Sequence, residues 1–66
     1  MLETSPTPEQ IRRARKRLRR SQATIAKMLG VSYATYSRWE NGKSAPQPDR
    51  REKLWKLINL AEKQEA

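Results

Sequence analysis

Helix-starting and helix-ending residues recur at short intervals along this chain, and they limit it to a set of short helices. Thr7, Ser21 and Ser32 each precede a segment with helical periodicity, and side chains of this type are typical N-caps. Gly30 and Gly42 follow such segments, where a residue able to take positive φ commonly ends a helix. The pattern predicts an all-α fold.

The spacing of these signals predicts four helices. They run from Pro8 to about Arg19, between Ser21 and Gly30, from Tyr33 to Asn41, and from an Asp49 cap to about Lys63. A loop at residues 44–48 separates the last two, because its prolines lack an N–H and push the preceding residues towards extended conformations. The expected architecture is therefore a small four-helix domain, with room for a short fifth turn.

Apolar residues recur three and four positions apart in each predicted helix, which is typical of a face that packs into a core. The expected core positions are Ile11, Ala14 and Leu18; Ala23, Ile25, Ala26, Met28 and Leu29; Tyr36 and Trp39; and Leu54, Leu57, Ile58 and Ala61.

Charge indicates the kind of partner. The 66 residues carry 15 Lys and Arg against 7 Asp and Glu, a formal net charge of +8. Seven of the nine residues from Arg12 to Arg20 are basic. Such a distribution is typical of a polyanion binder, although charge also simply solvates small proteins.

Missing residue types narrow the function further. Without Cys and His, the chain has no disulfide framework, no Cys/His metal site and no Ser-His or Cys-His catalytic pair. We therefore expect neither an enzyme nor a cofactor. The sequence also has no apolar run of membrane-span length and no signal-peptide layout at its N-terminus, so we expect a soluble cytoplasmic protein that associates with the nucleoid when bound to DNA.

Two short helices joined by a Gly-containing turn, the second capped by Ser, form the layout of a DNA-reading helix-turn-helix. The residues of this segment resemble the λ-repressor-like, or Xre-type, helix-turn-helix proteins in the order Ser21-Gln22-x-x-Ile25-Ala26-x-x-Leu29-Gly30-Val31-Ser32-x-x-Thr35-x-Ser37-x-Trp39-Glu40-Asn41-Gly42-Lys43-x-x-Pro46. The resemblance covers roughly residues 8–60. We expect a helix-turn-helix domain at residues 7–63 with its motif at 21–42, a flexible tail at 1–6 and a C-terminal tail at 64–66.

The third helix supplies the candidate base-reading residues, because a period of 3.6 separates them from Tyr36, Trp39 and Glu40. They are Tyr33, Ala34, Ser37 and Arg38, and the resemblance implies the same positions. The Arg38 guanidinium can pair with both guanine acceptors, and Ala34 can contact a thymine methyl. Tyr33 has two possible roles, packing on a base edge or hydrogen bonding to a phosphate. The alternative is that all four form a solvated helix face.

Gln22 opens the second helix, where its amide and free backbone N–H groups can hold a phosphate; the resemblance implies that role. The further candidates for phosphate binding are Ser32, Thr35, Asn41, Lys43 and Arg20. Arg19 and Arg20 stand where the resemblance implies Gly followed by an apolar residue, which is a departure from the family pattern at this turn.

Arg15 and Glu40 are charges on otherwise apolar helix sides, and two such charges are best explained by each other. The resemblance implies a structural salt bridge between them that fixes the recognition helix. The alternative is an exposed Glu40 beside a basic surface.

Trp55 and Leu60 flank the apolar stripe of the fourth helix, and they either form a dimer surface or widen the packed face. The predicted function is sequence-specific binding of double-stranded DNA by a transcriptional regulator, as a homodimer at least on DNA. The alternative is an antitoxin or adaptor module whose DNA-binding domain also engages a protein partner, such as a toxin.

Overall fold

A computed structural model of the chain describes residues 4–63, which contain four α-helices and no β-strand. They are α1 (Pro8–Leu18), α2 (Gln22–Leu29), α3 (Tyr33–Glu40) and α4 (Pro48–Lys63). The all-α prediction is confirmed. None of the described helices is long and apolar enough to cross a membrane.

The first three helices begin at the predicted caps. Thr7 and Gln10 form a reciprocal capping box at the start of α1. Ser21 and Ser32 each accept a hydrogen bond at 3.1 Å from the backbone N–H three residues later, at Thr24 and Thr35 respectively. Each serine hydroxyl also donates to that threonine hydroxyl, at 2.9 Å. The same local device therefore starts both helices of the motif.

The same three helices also end in one way, with a residue in the left-handed backbone region. Gly30 and Gly42 both have φ 74°, which costs glycine little. Arg19 has φ 57° and is the non-glycine residue with positive φ in the described chain. The backbone N–H after each of them bonds to a carbonyl five residues back, as at Arg20 and Arg15 (3.3 Å), so all three are Schellman-type ends.

Arg19→Gly should raise the free energy of unfolding by about 0.5–1 kcal/mol, because glycine adopts this φ without the steric cost that a Cβ incurs. Urea denaturation at neutral pH measures the change. Arg20→Gly is the matched control: it removes the same charge at a position whose φ is not positive, so it should destabilise. Equal effects of the two substitutions would contradict the prediction.

The core lies where the four helices meet, with α1 against α3 and α4, and α2 against α3 and α4. The buried apolar residues are Ile11, Ala14, Ile25, Ala26, Leu29, Tyr36, Trp39, Leu54, Leu57, Ile58 and Ala61. Leu18 is partly buried against them. The periodic faces of α1, α3 and α4 are thus confirmed.

The apolar face of α2 is narrower than predicted. Ala23 and Met28 are exposed, Met28 by 54%. Both project from the margins of the face formed by Ile25, Ala26 and Leu29, because a helix of eight residues contacts its neighbours along one stripe only.

Helix α4 starts two residues earlier than the predicted Asp49 cap implies, at Pro48 instead of Arg50. Pro48 is its first residue, and the N–H of Arg51 donates to the carbonyl of Gln47 at 2.7 Å. Asp49 is therefore within the first turn and is not the cap. Proline suits this position because the first N–H groups of a helix have no intrahelical partner.

The sequence predicts a flexible tail at residues 1–6, of which residues 4–6 are described. Pro6 is buried. The indole Nε1 of Trp55 donates to the carbonyl oxygen of Thr4 at 2.6 Å. This part of the tail therefore contacts α4. Residues 1–3 and the predicted C-terminal tail at 64–66 lie outside the described residues.

Candidate nucleic-acid interface

Helix α3 has one buried side and one solvent-facing side. Tyr36, Trp39 and Glu40 are buried, and the rings of Tyr36 and Trp39 pack edge to face with centroids 6.3 Å apart. On the other side Tyr33, 56% exposed, is joined by exposed Ala34 and Arg38 and half-buried Ser37. The structure thus brings the four predicted base-reading residues to one accessible helix face.

Glu40 is 1% exposed, and its carboxylate is bound by Arg15. The Nε of Arg15 lies 2.7 Å from Oε2 of Glu40, and its Nη2 lies 3.3 Å from Oε1. This two-point contact joins α1 to the end of α3. A planar guanidinium suits it because its donors match the two oxygens of a carboxylate.

The contacts of Glu40 also set its ionisation. Burial opposes the charged form, but the hydrogen bonds from Arg15 and Gln22, helped by the nearby Tyr36 hydroxyl, outweigh burial and lower the pKa of Glu40 below its usual value. The same pair raises the pKa of Arg15, chiefly through its hydrogen bond to Glu40. Glu40 is therefore an ionised acceptor at neutral pH.

Tyr36 lies beside this pair. Burial, and then the neighbouring Glu40, raise the pKa of its hydroxyl well above the usual range. That hydroxyl is buried and makes no hydrogen bond of good geometry within residues 4–63. Tyr36 therefore stays neutral and contributes mainly by packing.

Arg12 has a structural role that sequence analysis missed. Its Nη1 donates to the backbone carbonyl of Glu40, close to the C-terminus of α3, where helix carbonyls lack intrahelical partners. In the sequence, Arg12 stands out only as part of the basic run from Arg12 to Arg20. Its position three residues before Arg15 was a usable signal, because residues so spaced share a helix side.

Gln22 links the buried carboxylate to the exposed face of α3. Its Nε2 donates to Oε1 of Glu40 at 2.9 Å, and its Oε1 accepts from the hydroxyl of Tyr33 at 2.9 Å. We call Arg15, Gln22, Tyr33 and Glu40 the Glu40 network. It joins α1 to the first residue of α2 and to the first and last residues of α3.

The other predicted phosphate-binding residues differ in availability. Arg20, Asn41 and Lys43 are exposed, and the Nδ2 of Asn41 lies 3.4 Å from the hydroxyl of Ser37. The hydroxyls of Ser32 and Thr35 are engaged with each other in the α3 cap.

The two residues of the predicted dimer surface lie on α4. Leu60 is 44% exposed. Trp55 is half-buried, packs against the core and is bonded to Thr4. Its indole N–H is thus satisfied within the chain.

Comparison with known proteins identifies the family of this chain. The family model described as helix-turn-helix matches residues 11–62, a segment that contains α2 and α3, most of α1 and almost all of α4. Neither the curated proteins nor the solved structures include a significant match. The family is one of DNA-binding proteins, typically non-enzymatic. On the extent of this match and the arrangement of its helices, the chain belongs to the Xre-type, λ-repressor-like helix-turn-helix family.

Proposed function

We propose that this protein is a sequence-specific regulator of transcription that inserts α3 into the major groove of duplex DNA. The observation that carries the proposal is the two-sided character of α3. Its buried side is held by Tyr36, Trp39 and the Glu40 network, so the side with Tyr33 and Arg38 faces solvent. A helix fixed in this way presents the same side chains to every duplex it meets.

Residues on the solvent-facing side of α3 suit particular contacts. Arg38 matches the O6 and N7 acceptors of guanine, and Ala34 matches a thymine methyl. Ser37 can pair with several bases. One N–H of the Gln22 side-chain amide is donated to Glu40, and the second suits a phosphate oxygen. Further phosphate contacts are expected from Arg20, Asn41 and Lys43.

Two copies of the domain are expected to bind two half-sites, because one α3 contacts only a few base pairs. Leu60, exposed beside half-buried Trp55, is our candidate for the contact between copies. Purification with a second protein and no selected DNA sequence would instead favour the antitoxin or adaptor function.

Selection of bound duplexes from a random pool tests this function. We expect one enriched motif, arranged as an inverted repeat if the protein binds as a dimer. A pool that stays random through repeated rounds would contradict sequence-specific binding.

Salt dependence tests the electrostatic part separately. Each phosphate neutralised by a cation releases counterions, so affinity for the selected duplex should fall by about 100-fold or more between 50 and 200 mM salt if several phosphates are contacted. Fluorescence anisotropy at several salt concentrations gives the slope. A flat response would exclude phosphate neutralisation as the source of affinity.

A further inference from the structure

Hydrogen bonds of the Glu40 network have a fixed direction. An ionised carboxylate only accepts hydrogen bonds. Glu40 accepts from Arg15 on one side and from the Gln22 amide on the other. The Gln22 amide must therefore point its NH₂ group at Glu40 and its carbonyl oxygen outwards, since the reverse orientation would place two acceptors against each other.

The same direction of hydrogen bonding continues from Gln22 to Tyr33. The outward oxygen of Gln22 lies 2.9 Å from the Tyr33 hydroxyl and can only accept. The single hydroxyl proton of Tyr33 is thus used within the protein. What Tyr33 retains at the exposed face of α3 is the acceptor capacity of its oxygen.

We propose that Tyr33 determines sequence specificity as a hydrogen-bond acceptor, and that it reads the exocyclic amino group of an adenine or a cytosine in the major groove. The inference rests on the proposed DNA-binding function and deepens it. In the major groove, adenine N6 and cytosine N4 are the donors, whereas guanine O6 and N7, adenine N7 and thymine O4 only accept. Phosphate oxygens also only accept, so a phosphate contact would require Tyr33 to break its bond to Gln22.

The first test uses the selected duplex and Tyr33→Phe. The wild-type protein should enrich adenine or cytosine at one position of each half-site. Tyr33→Phe should reduce affinity for that duplex by about three- to tenfold, the value of one neutral hydrogen bond, and should flatten the preference at that position alone. Its melting temperature should change little, because the Tyr33 side chain is more than half exposed.

The decisive measurement is a double substitution in protein and DNA. A duplex carrying the same base without its amino group should bind the wild-type protein about three- to tenfold more weakly. The Tyr33→Phe protein should bind this duplex as tightly as it binds the natural one. The reason is that removing the hydroxyl from the protein and removing the amino group from the base abolish the same hydrogen bond. Independent, additive losses would overturn the inference.

Gln22→Met tests the role of the network. It releases the Tyr33 proton, so the hydroxyl can also donate, and guanine and thymine should become tolerated at the same position. Lys43→Gln is the control, because loss of an exposed cation should weaken binding to all sequences alike.

The outcomes separate the two proposals. Absence of any selected motif contradicts the DNA-reading function itself. A clear motif whose preferences are all unchanged in Tyr33→Phe, or one with guanine or thymine at the Tyr33-dependent position, leaves that function standing and overturns the acceptor role.

Discussion

Arg15→Met is expected to lower the free energy of unfolding by about 3 kcal/mol, because it leaves the buried carboxylate of Glu40 without its cation. Chemical denaturation at pH 7 measures the loss. Arg13→Met is the matched control on α1. Arg13 is exposed and its ion pair with Glu9 is a solvent-facing one, so this substitution should cost less than about 1 kcal/mol.

The pH dependence of stability gives the same prediction a second readout. The folded-state pKa of Glu40 lies below its ordinary value of 4.5. Its stabilising contribution is therefore complete above that value and is lost as the pH falls through the folded pKa.

Removal of Arg15 should reverse the sign of this contribution. Burial then dominates and raises the pKa of Glu40 above the ordinary value. In Arg15→Met, acidification from pH 7 towards pH 4.5 should therefore recover stability that the wild-type protein does not gain. Parallel pH profiles for the two proteins would show that the carboxylate is not buried and paired as described.

Replacing both Arg15 and Glu40 separates the contribution of their ion pair to stability from its role in orienting α3. Arg15→Met combined with Glu40→Leu should recover most of the stability that Arg15→Met alone loses, because no unpaired charge remains buried. DNA binding should stay impaired, since Gln22 also loses its acceptor. Full recovery of both properties would mean that the Glu40 network does not orient α3.

Arg38→Lys is expected to abolish most of the discrimination between the selected duplex and a random one. A lysine keeps the charge and loses the planar fork that pairs with guanine, and one such pair discriminates by about 1–3 kcal/mol. In a dimer the loss occurs in both half-sites. Competition binding measures the ratio of affinities for the two duplexes.

The salt slope separates base reading from phosphate binding in this variant. Because the charge is conserved, Arg38→Lys should keep the wild-type slope, whereas Lys43→Gln should reduce it by about one for each bound copy. Arg38 would be a phosphate ligand, and not a reader of bases, if its replacement weakened random and selected duplexes equally.

The helices could be predicted from the sequence because their causes are local. Capping by Thr7, Ser21 and Ser32 involves partners three residues away, and positive φ at Gly30 and Gly42 needs only a residue without a Cβ. The apolar spacing of α3 likewise predicted that Tyr36, Trp39 and Glu40 share its buried side. Where local signals were ambiguous, as at Pro48 and Asp49, the observed start of the helix lies two residues before the predicted one.

Tertiary structure decided which polar groups meet. Arg12 bonds to Glu40 from 28 residues away, and Gln22 bonds to Glu40 from 18 residues away. Helical periodicity can place Arg12 on the same side of α1 as Arg15, but it does not encode the partner on another helix, because that depends on how the helices cross.

Arg19 shows the same division between local and tertiary causes. Its sequence position marks a departure from the family pattern, but only the structure shows that it ends α1 with a left-handed backbone, φ 57°. The sequence by itself thus determined the four helices, the starts of the first three and the buried sides of α1, α3 and α4. The three-dimensional packing decided the direction of the hydrogen bonds that reach Tyr33, because a donor and an acceptor are fixed only when distant residues come within bonding distance.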